Sequence, residues 1–327
     1  MLKLTARVYL ISHEEKSKAM NNFTHKLYLL TGNDTQYHKL IKQRNLSDLS
    51  ITENRSEASI LLAAPPLAAP CLEDFPNLKW IQSIYAGVDA LVPHLDHFSG
   101  KLTNVRGIFG QQISEYVLGY LIEYFRQFVQ YRDCQQNETW QPRPYQTLSG
   151  KKMVVLGTGS IGSHLATTVN QFSITSIGIN RSGIPEKNSP FCHTFHIQEL
   201  ATALKQADIL VNTLPNTPET EYLLTSEILK SCKNVLLFNV GRGNIIKDEV
   251  LLEAINKKSV SHAFLDVFEQ EPLVANHPFW QHKDITITPH IAAVSFPEQV
   301  VEVFCENYQR WYDGFSLINL IDPGKGY

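Results

Sequence analysis

A glycine-rich loop in the middle of the chain constrains the fold more than any other feature of the sequence. The apolar run Val154-Val155-Leu156 leads directly into Gly157-Thr158-Gly159-Ser160-Ile161-Gly162, and an amphipathic segment follows. In a strand, G-x-G-x-x-G and helix of this kind, the glycines permit a tight turn, a close backbone approach to a pyrophosphate and close packing of helix on strand. The helix N-terminus then faces the phosphate charge. The predicted dinucleotide contacts in this loop are Gly157, Gly159, Ser160, Ile161 and Gly162.

Short apolar runs alternate with amphipathic segments along most of the chain. Runs of this length fit strands that are buried on both faces, as in a parallel sheet covered by helices. The predicted strands are 60–64, 78–84, 153–156, 174–179, 209–211, 235–238, 263–265 and 285–287. The predicted helices between them are 161–172, 197–205, 226–231 and 247–256. This alternation predicts an α/β fold with doubly wound parallel sheets.

The position of the glycine loop predicts how the domains are arranged. A chain of 327 residues is long enough for two domains. The nucleotide-binding pattern ends near residue 290, and the remaining C-terminal residues are too few for a domain. We therefore expect a Rossmann cofactor domain, 104–290, inserted into a flavodoxin-like substrate domain, 1–103 plus 291–327. The active site is expected in a cleft between the domains.

Three further segments have their own predicted structures. Residues 1–10 are expected to form a first strand. Residues 111–132 are apolar on most faces, which predicts a long helix that is buried either within the monomer or against a second subunit. Residues 294–312 are expected to form another helix near the end of the chain.

Composition excludes several classes of protein. The chain is 43% hydrophobic and 19% charged, which is typical of a globular protein. Its net charge is only -3, with no basic run, so nucleic acid and anionic membranes are disfavoured as partners. No apolar stretch approaches the roughly 20 residues of a membrane helix. The five cysteines are scattered and no pair has metal-ligand spacing, which indicates free thiols in the reducing cytoplasm and no metal site.

The turn after the second strand of the cofactor domain indicates which dinucleotide binds. An Asp or Glu is usual at this place, where it binds the hydroxyls of the adenine ribose. Here the sequence is Asn180-Arg181-Ser182, which has no acid. An arginine and a hydroxyl suit a 2′-phosphate, so we predict NADP(H) in preference to NAD(H), with these three residues in contact with it.

Three side chains in the second half of the chain are the candidate catalytic residues. Arg242, Glu271 and His290 each follow an apolar run, and ligands of doubly wound sheets gather at the carboxyl ends of strands. An arginine holds a carboxylate with two parallel hydrogen bonds. A histidine titrates near neutral pH and can donate a proton to a carbonyl, and a neighbouring carboxylate raises its pKa. The trio therefore suits the reduction of an anionic keto acid.

Several short sequence motifs, which occur in a fixed order along the chain, relate it to a known family. They are Tyr85-Ala86-Gly87-Val88-Asp89, Ser114-Glu115-Tyr116-Val117-Leu118, 156–162, Leu214-Pro215-Asn216-Thr217-Pro218-Glu219-Thr220, 239–243, 265–272 and 288–293. Together they resemble the D-isomer-specific 2-hydroxyacid dehydrogenases.

The resemblance implies a role for each matching residue. Arg242 would anchor the substrate, His290 would be the acid and base, and Glu271, rather than Glu269, would be its partner. The implied substrate-carboxylate site is the backbone amides of Ala86, Gly87 and Val88. The implied nicotinamide contacts are Asp266, through the carboxamide, and Leu214 and Pro215, which would line the pocket.

Within the family, the chain is similar to the branch of glyoxylate/hydroxypyruvate reductases A. The matching residues are 289–293, Pro297-Glu298 and Gly326-Tyr327. The branch implies NADPH-dependent reduction of glyoxylate and hydroxypyruvate. The long helix from Gln111, together with the family resemblance, predicts a homodimer through the cofactor domains. The apolar segment 61–65 lacks the larger polar or aromatic residues expected near the substrate. A different 2-keto acid is therefore an alternative substrate.

Two alternatives come from the same fold. A formate-dehydrogenase-like enzyme is disfavoured because that branch has glutamine where Glu271 stands. A dinucleotide-sensing corepressor, which works by dimerising and binding partners, is the alternative outside enzymes. Turnover of a short 2-keto acid separates the corepressor from the reductase.

Overall fold

The computed structural model describes residues 24–96 and 98–322. The chain divides into two compact units, Met1–Val105 with Phe296–Tyr327, and Arg106–Ser295. The predicted domain borders follow residues 103 and 290, whereas the units divide after Val105 and Ser295. The predicted strand at 1–10 and the C-terminal pair Gly326-Tyr327 lie outside the described residues.

The described residues form twelve strands and nine α-helices. The strands are β1 (His25–Leu30), β2 (Leu49–Ile51), β3 (Ile60–Ala63), β4 (Trp80–Ser83), β5 (Lys101–Thr103), β6 (Lys152–Leu156), β7 (Thr175–Asn180), β8 (His193–His196), β9 (Ile209–Asn212), β10 (Val235–Asn239), β11 (Val260–Leu265) and β12 (Ile285–Ile287). The helices are α1 (Asp34–Arg44), α2 (Pro65–Ala68), α3 (Gly110–Arg126), α4 (Phe128–Gln136), α5 (Ser160–Asn170), α6 (Leu200–Leu204), α7 (Ser226–Leu229), α8 (Asp248–Asn256) and α9 (Pro297–Tyr312).

The first unit is built on a five-stranded sheet in the order β2-β1-β3-β4-β5. Every pairing in it is parallel. This is the flavodoxin-like strand order. Every residue of β3 and β4 is buried, and β3 is accordingly a continuous apolar run, whereas β4 includes the buried polar residues Gln82 and Ser83.

The second unit is built on a seven-stranded parallel sheet in the order β12-β11-β10-β9-β6-β7-β8. The chain enters at β6, proceeds outward to β8, and then returns to β9 beside β6 before it continues to β12. The direction of winding therefore reverses between β6 and β9, and ligands of such sheets bind at this switch point. The predicted fold class, two doubly wound parallel-sheet domains, is confirmed.

The prediction of one continuous helix over 111–132 is wrong. Helix α3 ends at Arg126, because Gln127 adopts a left-handed conformation with φ 56, and α4 starts as a separate helix. Only one face of α3 is buried within the chain. Tyr124 on the other side is 38% exposed, and Phe128, the first residue of α4, is 42% exposed. The break carries neither proline nor glycine, so no local residue type indicated it. Helix α9 begins at Pro297 rather than at residue 294, as suits a proline in the first turn of a helix.

All five cysteines are free thiols. Within residues 24–96 and 98–322, no helix is both long and apolar enough to cross a membrane.

Candidate functional site

The candidate catalytic residues all lie in the second unit, just after the carboxyl ends of neighbouring strands. Arg242 follows β10, Glu271 follows β11, and His290 follows β12. Because these strands are parallel and adjacent, their carboxyl ends share one edge of the sheet. The structure therefore brings together the three side chains that the sequence singled out.

The imidazole of His290 is paired with the carboxylate of Glu271. The distance from His290 Nδ1 to Glu271 Oε2 is 2.7 Å, and the two side chains are 50% and 35% exposed. The hydrogen bond that Nδ1 of His290 donates to Glu271 raises the pKa of His290, and it outweighs partial burial, which opposes the charged ring. Because Nδ1 faces Glu271, Nε2 is the nitrogen that can give a proton to a bound molecule.

The carboxylate of Glu271 is itself held in place. Its Oε1 accepts a hydrogen bond from the backbone amide of Phe268 at 2.9 Å. Partial burial alone would raise the pKa of Glu271, but the hydrogen bonds from His290 and Phe268 and the charge of Arg242 lower it below its usual value. Glu271 is therefore ionised at neutral pH and favours the protonated imidazole.

Arg242 extends from a tightly packed turn. The buried side chain of Asn239 donates to the carbonyl of Arg242 at 3.0 Å, and Arg242 Nη1 donates to the carbonyl of Gly241 at 2.8 Å. A side chain at Gly243 would come within 1.9 Å of the backbone of Phe268. The arginine turn and the Glu271 loop therefore pack directly on each other, which fixes their relative position.

Two buried asparagines that the sequence analysis missed connect the strand ends. Asn212 Nδ2 donates to Asn239 Oδ1 at 2.8 Å, and Asn212 Oδ1 accepts from the amide of Leu214 at 3.1 Å. They tie the predicted nicotinamide residues Leu214 and Pro215 to the turn that carries Arg242. The available signal was a polar residue at the end of each apolar run, Ile209–Asn212 and Val235–Asn239.

Asp266 has a structural role that the sequence did not indicate. Its side chain is 1% exposed. Oδ1 accepts hydrogen bonds from the hydroxyl of Thr288 at 2.6 Å and the amide of Ile291 at 2.8 Å, and Oδ2 accepts from the amide of Ala292 at 2.9 Å. Asp266 therefore fixes the loop around His290. Its contact with a nicotinamide carboxamide stays a prediction.

The glycine loop has the geometry that its sequence requires. Gly157 has φ 99, and a side chain at Gly162 would meet the carbonyl oxygen of Gly157 at 2.0 Å. Within the described residues, nothing lies within 4 Å of the position that a side chain at Gly159 would take. Helix α5 begins at Ser160, so the open space at Gly159 adjoins a helix N-terminus. These features fit the pyrophosphate of a dinucleotide.

The turn at the end of β7 is shaped by Asn180. Its Oδ1 accepts from the amides of Gly183 at 2.7 Å and Ser182 at 3.1 Å. Its Nδ2 donates to the hydroxyl of Thr158 at 3.2 Å, which links the turn to the glycine loop. Asn180 thus sets the backbone, whereas Arg181 and Ser182 are exposed.

The predicted carboxylate-binding amides lie in the first unit, just after β4. Asn104 Nδ2 donates to the carbonyl of Ala86 at 2.6 Å. Val88 is 1% exposed, while Ala86 and Gly87 are partly exposed. The structure shows a fixed turn at these residues, and the role of Ala86, Gly87 and Val88 in substrate binding stays a prediction.

Comparisons with known proteins agree on one family. The model of D-isomer specific 2-hydroxyacid dehydrogenase, NAD binding domain, matches residues 118–292. A D-isomer specific 2-hydroxyacid dehydrogenase family protein from Aeromonas salmonicida is 42% identical, with a TM-score of 0.86 over 92% of this chain and 99% of that chain. A relative from Xanthobacter autotrophicus, solved with NADPH and MES, is 26% identical, with a TM-score of 0.83 over 93% of this chain and 100% of that chain.

A more distant structure shares the fold. It is an NADPH-dependent glyoxylate/hydroxypyruvate reductase from Sinorhizobium meliloti, solved with NADP and sulfate. It is 21% identical to this chain, with a TM-score of 0.81 over 93% of this chain and 100% of that chain. At this identity the likeness extends to the fold alone.

Proposed function

We propose that this chain, which belongs to the D-isomer specific 2-hydroxyacid dehydrogenases, reduces small 2-keto acids, such as glyoxylate and hydroxypyruvate, with NADPH. Members of this family are NAD(P)-dependent oxidoreductases. The observation that carries the proposal is the His290–Glu271 pair beside Arg242 at one edge of the sheet. This arrangement offers a proton and a fixed cation to an anionic ketone.

The reaction needs a proton at the carbonyl oxygen in addition to a hydride at carbon. The loop from Gly157 to Gly162 would hold NADPH, which would supply the hydride. His290 donates the proton from Nε2 to the carbonyl oxygen. Glu271 stabilises the protonated imidazole before the transfer and fixes the orientation of the ring. Arg242 binds the carboxylate of the keto acid and so orients the carbonyl.

Part of the proposed site is carried over from the family resemblance. We propose that the amides of Ala86, Gly87 and Val88 bind the substrate carboxylate. We also propose that Leu214, Pro215 and Asp266 contact the nicotinamide. Asp266 has both oxygens in hydrogen bonds, yet a carboxylate accepts about four, so a carboxamide is a compatible further partner.

A substrate panel tests the proposed function. We expect NADPH to be oxidised with glyoxylate and hydroxypyruvate. Oxidation with a different short 2-keto acid would change the proposed substrate but not the proposed mechanism. Absence of turnover with every short 2-keto acid would contradict the reductase. It would favour the second candidate, a dinucleotide-sensing corepressor.

Replacing Arg181 tests the proposed preference for NADP(H). In Arg181→Ser, kcat/KM for NADPH should fall about tenfold to a hundredfold, because a hydrogen bond to a charged group contributes about 1.5–3 kcal/mol. The value for NADH should be unchanged, because NADH has no 2′-phosphate. Relatives solved with NADPH or NADP support the preference.

The matched control is Lys187→Ser, which removes an exposed cation from the same segment. It should leave both kcat/KM values near those of the unmodified enzyme. A clear preference of the unmodified enzyme for NADH would contradict the proposed preference for NADP(H).

Replacing Glu271 tests the electrostatics of the proton donor. Because Glu271 raises the pKa of His290, Glu271→Gln should lower that pKa. Reduction needs the protonated ring. As pH rises, the variant should therefore lose activity at a lower pH than the unmodified enzyme does. The pH profile of kcat/KM for the keto acid measures this change. An alkaline limb at the same or higher pH would show that Glu271 does not support the protonated form.

Exposed aromatic residues around α4 support a proposed homodimer. Tyr124, Phe128 and Tyr145 are 38%, 42% and 55% exposed, and Trp140 is 96% exposed. Large apolar groups exposed together mark interaction surfaces. We propose that a second copy covers them. A cytoplasmic location is also proposed, on the free thiols.

A further inference from the structure

The loop that carries His290 is tied to helix α3 by a short chain of hydrogen bonds. The hydroxyl of Thr288 donates to Asp266 Oδ1 at 2.6 Å and lies 2.8 Å from the hydroxyl of Tyr116. Since the one proton of Thr288 is used by the carboxylate, Tyr116 must donate to Thr288. Burial raises the pKa of Tyr116, so its hydroxyl keeps the proton that this hydrogen bond needs.

The backbone around His290 is in a conformation that needs such support. His290 has φ 55, in the left-handed region that side chains other than glycine rarely adopt. Its amide donates to the carbonyl of Asp266 at 2.9 Å. The amides of Ile291 and Ala292 donate to the carboxylate of Asp266. Asp266 therefore holds the loop, and Thr288 and Tyr116 hold Asp266.

From this geometry we infer that Tyr116 and Thr288 are positioning residues that keep the imidazole of His290 in contact with Glu271. Neither residue touches Glu271 or the reacting atoms. They act through Asp266, which fixes the backbone on both sides of the imidazole. The inference rests on the proposed acid role of His290, and it assigns a catalytic contribution to a helix outside the trio.

The charged groups that face His290 determine how its pKa changes when the loop is less firmly held. Glu271 raises the pKa of His290 most, Arg242 lowers it, and Asp266 raises it. The contribution of Glu271 is a hydrogen bond and therefore depends most strongly on geometry. When the loop loses its support, that hydrogen bond weakens and the pKa of His290 falls.

A pair of substitutions at one position separates the hydroxyl from the rest of the side chain. Thr288→Val keeps the shape and removes the hydroxyl, whereas Thr288→Ser keeps the hydroxyl. In Thr288→Val, kcat should fall about tenfold to a hundredfold, because small displacements of a catalytic group have effects of this size. The KM for NADPH should change much less than kcat. Thr288→Ser should behave like the unmodified enzyme.

A second pair tests the contribution of helix α3. Tyr116→Phe removes the hydroxyl that donates to Thr288, and it should lower kcat and the pKa of His290 in the same direction as Thr288→Val. Tyr120→Phe is the matched control. Tyr120 lies one turn further along the helix, and its ring packs on Tyr116 and Phe264. The control should change neither quantity.

The deciding readout is an NMR titration of the imidazole of His290 in the full chain without substrate, with the signal assigned by its absence in His290→Gln. A lower pKa in Thr288→Val and Tyr116→Phe, together with an unchanged pKa in Thr288→Ser and Tyr120→Phe, supports the inference. An unchanged pKa in Thr288→Val and Tyr116→Phe overturns it, even where Tm falls.

The titration distinguishes failure of the inference from failure of the proposed function. If no 2-keto acid is reduced but the pKa of His290 still depends on Thr288, the positioning holds and the reductase proposal fails. If Thr288→Val does not fold, Tyr116→Phe and Tyr120→Phe decide the question.

Discussion

Replacing His290 with alanine should lower kcat for keto acid reduction by about 10²- to 10⁴-fold, the usual contribution of a positioned acid. The variant retains the glycine loop and Arg242, so the KM values for NADPH and the keto acid should change much less. The loss follows from the geometry, because Glu271 engages Nδ1 and leaves Nε2 to donate the proton. Steady-state kinetics at saturating NADPH measures the effect.

A second histidine on the same sheet provides the control. His193 lies in the edge strand β8 and is exposed, far along the sheet from β12. His193→Ala should have nearly normal kcat. If His290→Ala turns over at a nearly normal rate as well, His290 is not the proton donor.

Replacing Arg242 with methionine should reduce kcat/KM for the keto acid by about 30- to 5,000-fold, since loss of one member of a buried charge pair costs about 2–5 kcal/mol. The substitution removes the guanidinium that holds the substrate carboxylate and keeps an apolar chain of comparable length. The KM for NADPH should be nearly unchanged. Arg242→Lys should recover only part of the loss, because an ammonium cannot form two parallel hydrogen bonds with a carboxylate.

The same variant has a second signature in its pH profile. The charge of Arg242 lowers the pKa of His290, so Arg242→Met should raise that pKa. The alkaline limb should therefore move to higher pH, the opposite of the change in Glu271→Gln. Arg132→Met, which breaks an exposed surface pair with Glu123, should alter neither kcat/KM nor the pH profile. Equal effects of the two methionine variants would contradict the role of Arg242.

The buried strands were predictable because their environment is uniform. In β3, β9 and β10 every residue is buried, so a continuous apolar or nearly apolar run marks each of them. Four strands were missed: β1, β2, β5 and β8. The last three are three or four residues long, and each lies at an edge of its sheet. An edge strand has a neighbour on one side only, so its sequence need not be apolar throughout.

The site was predictable where it depends on strand ends and was missed where it depends on tertiary hydrogen bonds. Arg242, Glu271 and His290 each follow an apolar run, and parallel strands bring such positions to one edge. The hydrogen bonds from Thr288 and Tyr116 toward Asp266 join residues far apart in the chain. No local pattern shows which carboxylate will accept three donors or which residue will adopt a left-handed conformation.

The fate of the transferred hydrogen tests the central claim most directly. NADPH that carries deuterium at the transferred position of nicotinamide C4 is supplied with glyoxylate or hydroxypyruvate, and the product is examined by mass spectrometry and NMR. We expect one deuterium at C2 of the 2-hydroxy acid and none at its hydroxyl. A 2-hydroxy acid without deuterium at C2, or no product from any short 2-keto acid, would contradict it.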